Sequence, residues 1–216
     1  MRKLSTLTAL LLCACSDGGS PPVAPQYLPQ PPSPGTIWSM NYGRPVGAVQ
    51  MQPGDYFDFP VCAPTPGTDV IPCSVGYVER PYSALTGKLY LTLTYEVTGD
   101  SPAFNHKTNA NNNCDDGTGA GLSLLIRRYG ADVNNDRWFS QPSVQKLTLG
   151  TITYKVPLRL DAWTPVFPPG AQVLFDSALA SVSTVGFVFG GGCFAAHGAA
   201  LTSGSARFTV KEITAQ

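Results

Sequence analysis

A cysteine with a histidine four residues on has the makings of a thiol nucleophile and its base. Cys193 and His197 stand so in GFVFGGGCFAAHGAAL, residues 186–201. Such a nucleophile needs an unoxidised thiol, a base within reach and surroundings that lower its pKa. Spacing along a chain supplies none of that geometry. The three glycines before Cys193 suit a tight turn or close backbone packing at the end of a buried strand. We therefore read the segment as architecture, with His197 as a hydrogen-bonding loop residue. No G-x-S-x-G elbow, phosphate loop or His-x-x-x-His metal motif is present. Glycoside hydrolysis wants two paired carboxylates, and no local motif singles out a pair from Glu79, Glu96, Asp100 and Glu212.

Recognition chemistry is better represented. RRYGADVNNDRWFS, residues 127–140, brings together Arg127, Tyr129, Arg137 and Trp138. Aromatic faces stack on the apolar faces of sugars, and guanidinium groups donate to hydroxyls in a plane, so these four are the candidate glycan-binding residues. The competing reading makes Trp138 a core anchor and pairs the arginines with Asp132 or Asp136. The same loop carries Asp132, Asn134 and Asp136, with Asn135 between them. Calcium takes six to eight oxygen ligands, so this loop is the candidate site for a structural calcium, and Asp115 and Asp116 form a second set. The loop lacks the glycine and closing glutamate of the twelve-residue calcium loop. Asn and Asp also serve simply as turn formers.

The chain opens with MRKLSTLTALLLCAC, a basic start followed by an apolar run from about Leu4 to Leu12. That run is about half of what a membrane-spanning helix needs and fits an export signal. Leu12-Cys13-Ala14-Cys15 resembles the lipobox of bacterial lipoproteins, although Cys13 occupies a place where Ala or Ser is commoner. The resemblance implies cleavage after residue 14, acylation of Cys15, and, with Ser16 following, sorting to the outer membrane. Acyl chains at Cys15 suffice as an anchor, each buried CH₂ adding about 0.8 kcal/mol. Residues 15–35 then form a tether: Ser20–Gly35 holds seven prolines and no charge. Proline favours extended polyproline II at about 3.1 Å per residue, a reach of about 50 Å.

Export bears on the remaining cysteines, Cys62, Cys73, Cys114 and Cys193. An even set in an oxidising compartment pairs. Three connectivities are open; we favour Cys62 with Cys73 and Cys114 with Cys193. The second pairing would fasten the glycine run to the Asn-rich loop.

The elements that must position these groups are strands. KLYLTLTYEV, residues 88–97, puts Leu89, Leu91, Leu93, Tyr95 and Val97 on one face and polar residues on the other. Further strands are expected over 47–51, 55–59, 122–129, 144–149, 184–189 and 206–213. LSLLI is apolar on both faces, as a central strand is. One short helix is expected over 172–182. With 22 glycines, 20 prolines and only 13% charged residues, the fold class is an all-β antiparallel sandwich over residues 36–216.

From Gly121 to Ile213 the layout WTPVF, FDSAL, VGFVFGGG, AHG, GSARFTV resembles jelly-roll sandwiches of the galactose-binding-domain-like kind, which include carbohydrate-binding modules. The resemblance implies noncatalytic glycan binding, often with a structural calcium. Basic and acidic residues balance at 14 each, and removal of Arg2 and Lys3 leaves the body slightly acidic. Nucleic acid, which needs clustered basic charge, is not an expected partner. The expected partners are a membrane, through the lipid anchor, and a glycan. A structural or protein-interaction role in the envelope stands second, and a glycan-degrading enzyme third.

Overall fold

The computed structural model describes residues 39–41, 55–62, 74–83, 85–106, 119–128, 137–141, 144–165, 172–191 and 197–216. The leader, Cys15, the tether and the strand expected at 47–51 lie outside them. So do Cys73, Cys114, Cys193, Tyr129, Asp132, Asn134 and Asp136, and with them the expected calcium loop.

The described chain is an antiparallel sandwich with one short helix. One sheet runs β1 (Ser39–Asn41), β3 (Tyr77–Pro81), β11 (Thr184–Gly190), β6 (Gly121–Arg127), β7 (Arg137–Ser140) and β10 (Trp163–Pro165), with β8 (Gln145–Lys146) on β6. The facing sheet runs β2 (Tyr56–Asp58), β13 (Arg207–Ala215), β4 (Tyr90–Thr98) and β9 (Gly150–Pro157). A two-stranded ribbon of β12 (Ala199–Ser203) and β5 (Ala103–His106) lies beside them in the chain order. The chain changes sheets repeatedly, passing from β3 to β4, from β7 to β9 and from β11 through β12 to β13, so neighbours in a sheet are mostly remote in sequence.

Alternation explains the core. Leu91, Leu93, Tyr95 and Val97 of β4 are fully buried against Phe187 and Phe189 of β11 and Phe57 and Phe208 of β2 and β13. Their rings interlock: Tyr95 stacks on Phe208 at 4.7 Å, and Phe187 and Phe189 meet at 5.5 Å edge to face, geometries favoured by the ring quadrupole. β6, flanked by β11 and β7, is buried on both faces, as LSLLI predicts. The helix α1 (Gln172–Ala180) sends Phe175 and Ala178 inward, where Phe175 meets Trp138 at 5.0 Å.

Several boundaries differ from expectation. Leu89 is 69% exposed, because the strand begins only at Tyr90 and Leu89 spends its amide on the carbonyl of Gln216. The strand expected over 144–149 is two residues long; Leu147 instead donates its amide to Ala120 and turns into the core. Strands β1, β3, β5, β9, β10 and β12 fall outside the strands that the sequence pattern predicts.

Candidate functional site

The glycine run resolves as packing where it is described. A Cβ on Gly191 would meet the His106 ring at 2.2 Å, and one on Gly198, at φ +98°, would meet Ser74 Oγ at 2.1 Å. Ser74 Oγ donates to the carbonyl of His197, 3.5 Å away. At either position a larger residue would have to displace the side chain packed against it. Cys62 is buried and disulfide-bonded, and its partner lies outside the described residues.

Strand parity sorts the predicted glycan-binding residues onto opposite faces of the larger sheet. Trp138 is 1% exposed and packs on Phe175 beneath α1. An indole with no open face cannot stack a sugar, so Trp138 is a core residue and leaves the binding set. Trp163 is likewise core, its indole N–H satisfied by the Pro157 carbonyl at 2.8 Å. Arg137, one residue earlier, faces the other way. The β6–β7 register sets it directly opposite Arg127.

Two like charges directly opposite across strands are unfavourable, and the surrounding residues offset the cost. Glu79, from β3, is 2% exposed and accepts from Arg127 Nη1 at 2.8 Å and from Thr184 Oγ1 at 2.7 Å. Arg137 Nη1 donates to the Tyr77 hydroxyl at 3.0 Å. Both guanidiniums lie near the Tyr77 ring, their Cζ atoms 5.8 and 5.7 Å from its centroid, within cation–π range. Gly186 makes this closure possible, since a Cβ there would sit 2.0 Å from the Val78 carbonyl oxygen. β3 and β11 can approach only because that position is bare.

Beside this polar group Leu125, Phe139 and Val188 form a small apolar cluster against Tyr77. The site therefore combines two guanidiniums, one carboxylate, a threonine hydroxyl and a tyrosine ring on the outward face of β3, β11, β6 and β7. Tyr77, Arg127 and Arg137 keep partial exposure. Glu79 belongs to the set of carboxylates considered from sequence, but neither it nor Tyr77 or Thr184 was assigned to recognition. The available signal was a lone glutamate in the mostly apolar run SVGYVERPY, which calls for a cation somewhere in the fold.

Other carboxylates are also matched to cations: Glu96 to Lys211 at 2.6 Å, Asp161 to Arg159 at 2.8 Å and Asp58 to Arg207 at 2.8 Å. Among the described residues no three His, Cys, Asp or Glu side chains gather as a metal site, and no helix is long and apolar enough to cross a membrane. No protein-family model matches the chain, and neither does any curated protein or solved structure.

Proposed function

We propose that this chain is an envelope lipoprotein, anchored at Cys15, whose sandwich binds a glycan without catalysing a reaction on it. The observation that carries the reading is the Arg127–Arg137 pair placed side by side around Tyr77. Planar donors beside an aromatic ring are what a hydroxylated, partly apolar ligand requires. Tyr77 takes the aromatic role that Trp138 cannot.

The test is binding of the purified body to a broad panel of immobilised glycans, repeated with Tyr77→Ala and Arg137→Ala after circular dichroism shows them folded. Loss of binding in both supports the site. Unchanged binding in both moves the site elsewhere, and a panel on which nothing binds removes Tyr77 and the two arginines as a glycan site. Mass spectrometry of the amino-terminal peptide from a membrane fraction, with Cys15→Ser as control, tests the anchor.

A second reading is an assembly or interaction part of the envelope. It is favoured by β9, which among the described residues pairs only with β4 and exposes Thr151, Thr153 and Lys155. An edge of this kind can accept an extended segment of another chain. Cross-linking from residue 153 in intact envelopes, with a specific protein captured and no glycan bound, would establish it over the first.

A further inference from the structure

A cleft of about 420 Å³ opens at the end of the sandwich where β2 finishes, β4 leaves its sheet and β12 turns into β13. It is separate from the Arg127–Arg137 site. Asp58, Arg207, Val61, Gly99 and Gly204 are among its lining residues. Arg207 grips Asp58 through two parallel hydrogen bonds, Nε to Oδ1 at 2.8 Å and Nη2 to Oδ2 at 3.0 Å. Its guanidinium also lies 4.1 Å from the centroid of the Tyr56 ring. Although the pair is exposed, 47% for Arg207 and 62% for Asp58, its orientation is fixed by a bidentate fork on one side and an aromatic ring on another.

The rim is equally fixed. Asp100 and Ser205 exchange backbone hydrogen bonds at 3.1 and 3.0 Å, tying the two loops together. A Cβ on Gly99 would meet the Ser205 carbonyl oxygen at 1.9 Å, and one on Gly204 would meet that of Ser101 at 2.3 Å. Ser101 itself holds the left-handed backbone, φ +43°, that residues other than glycine adopt at a cost. Exposed ion pairs contribute little to stability, so the fold alone gives no reason for this degree of order.

We propose that this cleft is a binding site for a neutral saccharide, recognised through two adjacent hydroxyls held by the Asp58–Arg207 pair. One hydroxyl donates to the carboxylate and its neighbour accepts from Arg207 Nη1, which has no hydrogen-bond partner among the described residues. The exposed Val61 supplies an apolar wall for the C–H face of the ring. The pair's charges cancel, which selects an uncharged polyol over an ion. The volume suits one or two sugar rings, at the lower end of small-molecule sites. The hydrogen bonds from Arg207 hold the Asp58 carboxyl below its ordinary range, against a smaller opposing effect of burial and with the Arg207 charge adding a lesser lowering, so the acceptor stays ionised at neutral pH.

This site deepens the glycan reading, and its test keeps the two apart. Methyl glycosides of galactose, mannose, glucose and N-acetylglucosamine are titrated into the ¹⁵N-labelled body, and the amides of Gly99, Gly204 and Arg207 are followed by NMR. The expected result is saturable shifts at these amides with one glycoside, weakened at least about tenfold by Asp58→Asn and unaffected by Arg137→Ala. No movement at these amides up to saturating sugar overturns the cleft, whatever the glycan panel shows. Shifts lost in Arg137→Ala and kept in Asp58→Asn overturn it also, while leaving the glycan reading intact. Shifts at the cleft with an empty panel would support the cleft and remove the Arg127–Arg137 site.

Discussion

At the scale of single residues, two buried polar groups dominate. Tyr95 carries its hydroxyl into the core without a hydrogen-bond partner among the described residues. Burial is the main cause raising its pKa, with Tyr154 nearby as the second. A buried hydroxyl left unsatisfied is costly, so Tyr95→Phe is expected to stabilise the fold by about 1 kcal/mol in urea unfolding at pH 7. In the unfolded chain the phenol titrates near pH 10. Because the folded value lies above this, its contribution is intact below about pH 10 and declines as pH rises further. The decline is about 1.4 kcal/mol per pH unit, and Tyr95→Phe should remove that part of the alkaline slope. Glu79 behaves oppositely. Removing one partner of a buried ion pair strands the other, so Glu79→Ala should cost about 3–5 kcal/mol. A milder loss in chemical denaturation would mean that Arg127 finds another acceptor.

At the scale of elements, β3 and β11 are held close by one missing side chain. Gly186→Ala forces the strands apart against the Val78 carbonyl, and should destabilise by about 1–3 kcal/mol. Amide exchange that accelerates first in 77–81 and 184–190 would locate the effect; an unchanged midpoint would show that the strands can relax. The elements differ in how readable they were, for physical reasons. β4 announces itself because one face is core and the other solvent. β3 does not, because Glu79 and Arg80 interrupt its apolar pattern and its compensation comes from Arg127, 48 residues away. β9 alternates Ile152, Tyr154 and Val156 inward but, being an edge strand, buries only Val156 fully, so its pattern is weak. The candidate site was half legible. Arg127 and Arg137 stood out by composition, whereas Tyr77 and Thr184 join them only through strand order. In a strand Arg137 and Trp138 must face opposite ways, so the two side chains belong to different faces of β7.

At the scale of the whole molecule, the body is a sandwich with a large aromatic core and at least one covalent tie. Cys62 sits with Ala200 beside β12, outside the main aromatic cluster. The disulfide of Cys62 ties down the stretch after β2, which meets β12 through the single bridge of Val61 with Leu201. Cys62→Ser is expected to lower stability by about 2–5 kcal/mol. Near-ultraviolet circular dichroism of the aromatic core should keep its native shape below the transition. A loss of that signal at low denaturant would show that the tie organises the core itself.

The place of β13 has a consequence for biogenesis. It lies between β2 and β4, pairing with both, yet it follows them by more than a hundred residues of chain. Polypeptides emerge vectorially, amino end first. Until residues 207–215 arrive, β2 and β4 wait with open hydrogen-bonding edges, and the aromatic stack lacks Phe208, the ring on which Tyr95 lies. A nascent chain of this design therefore cannot complete its core early. Closure of the sheet and completion of the aromatic stack are thus coupled to the arrival of one strand, β13.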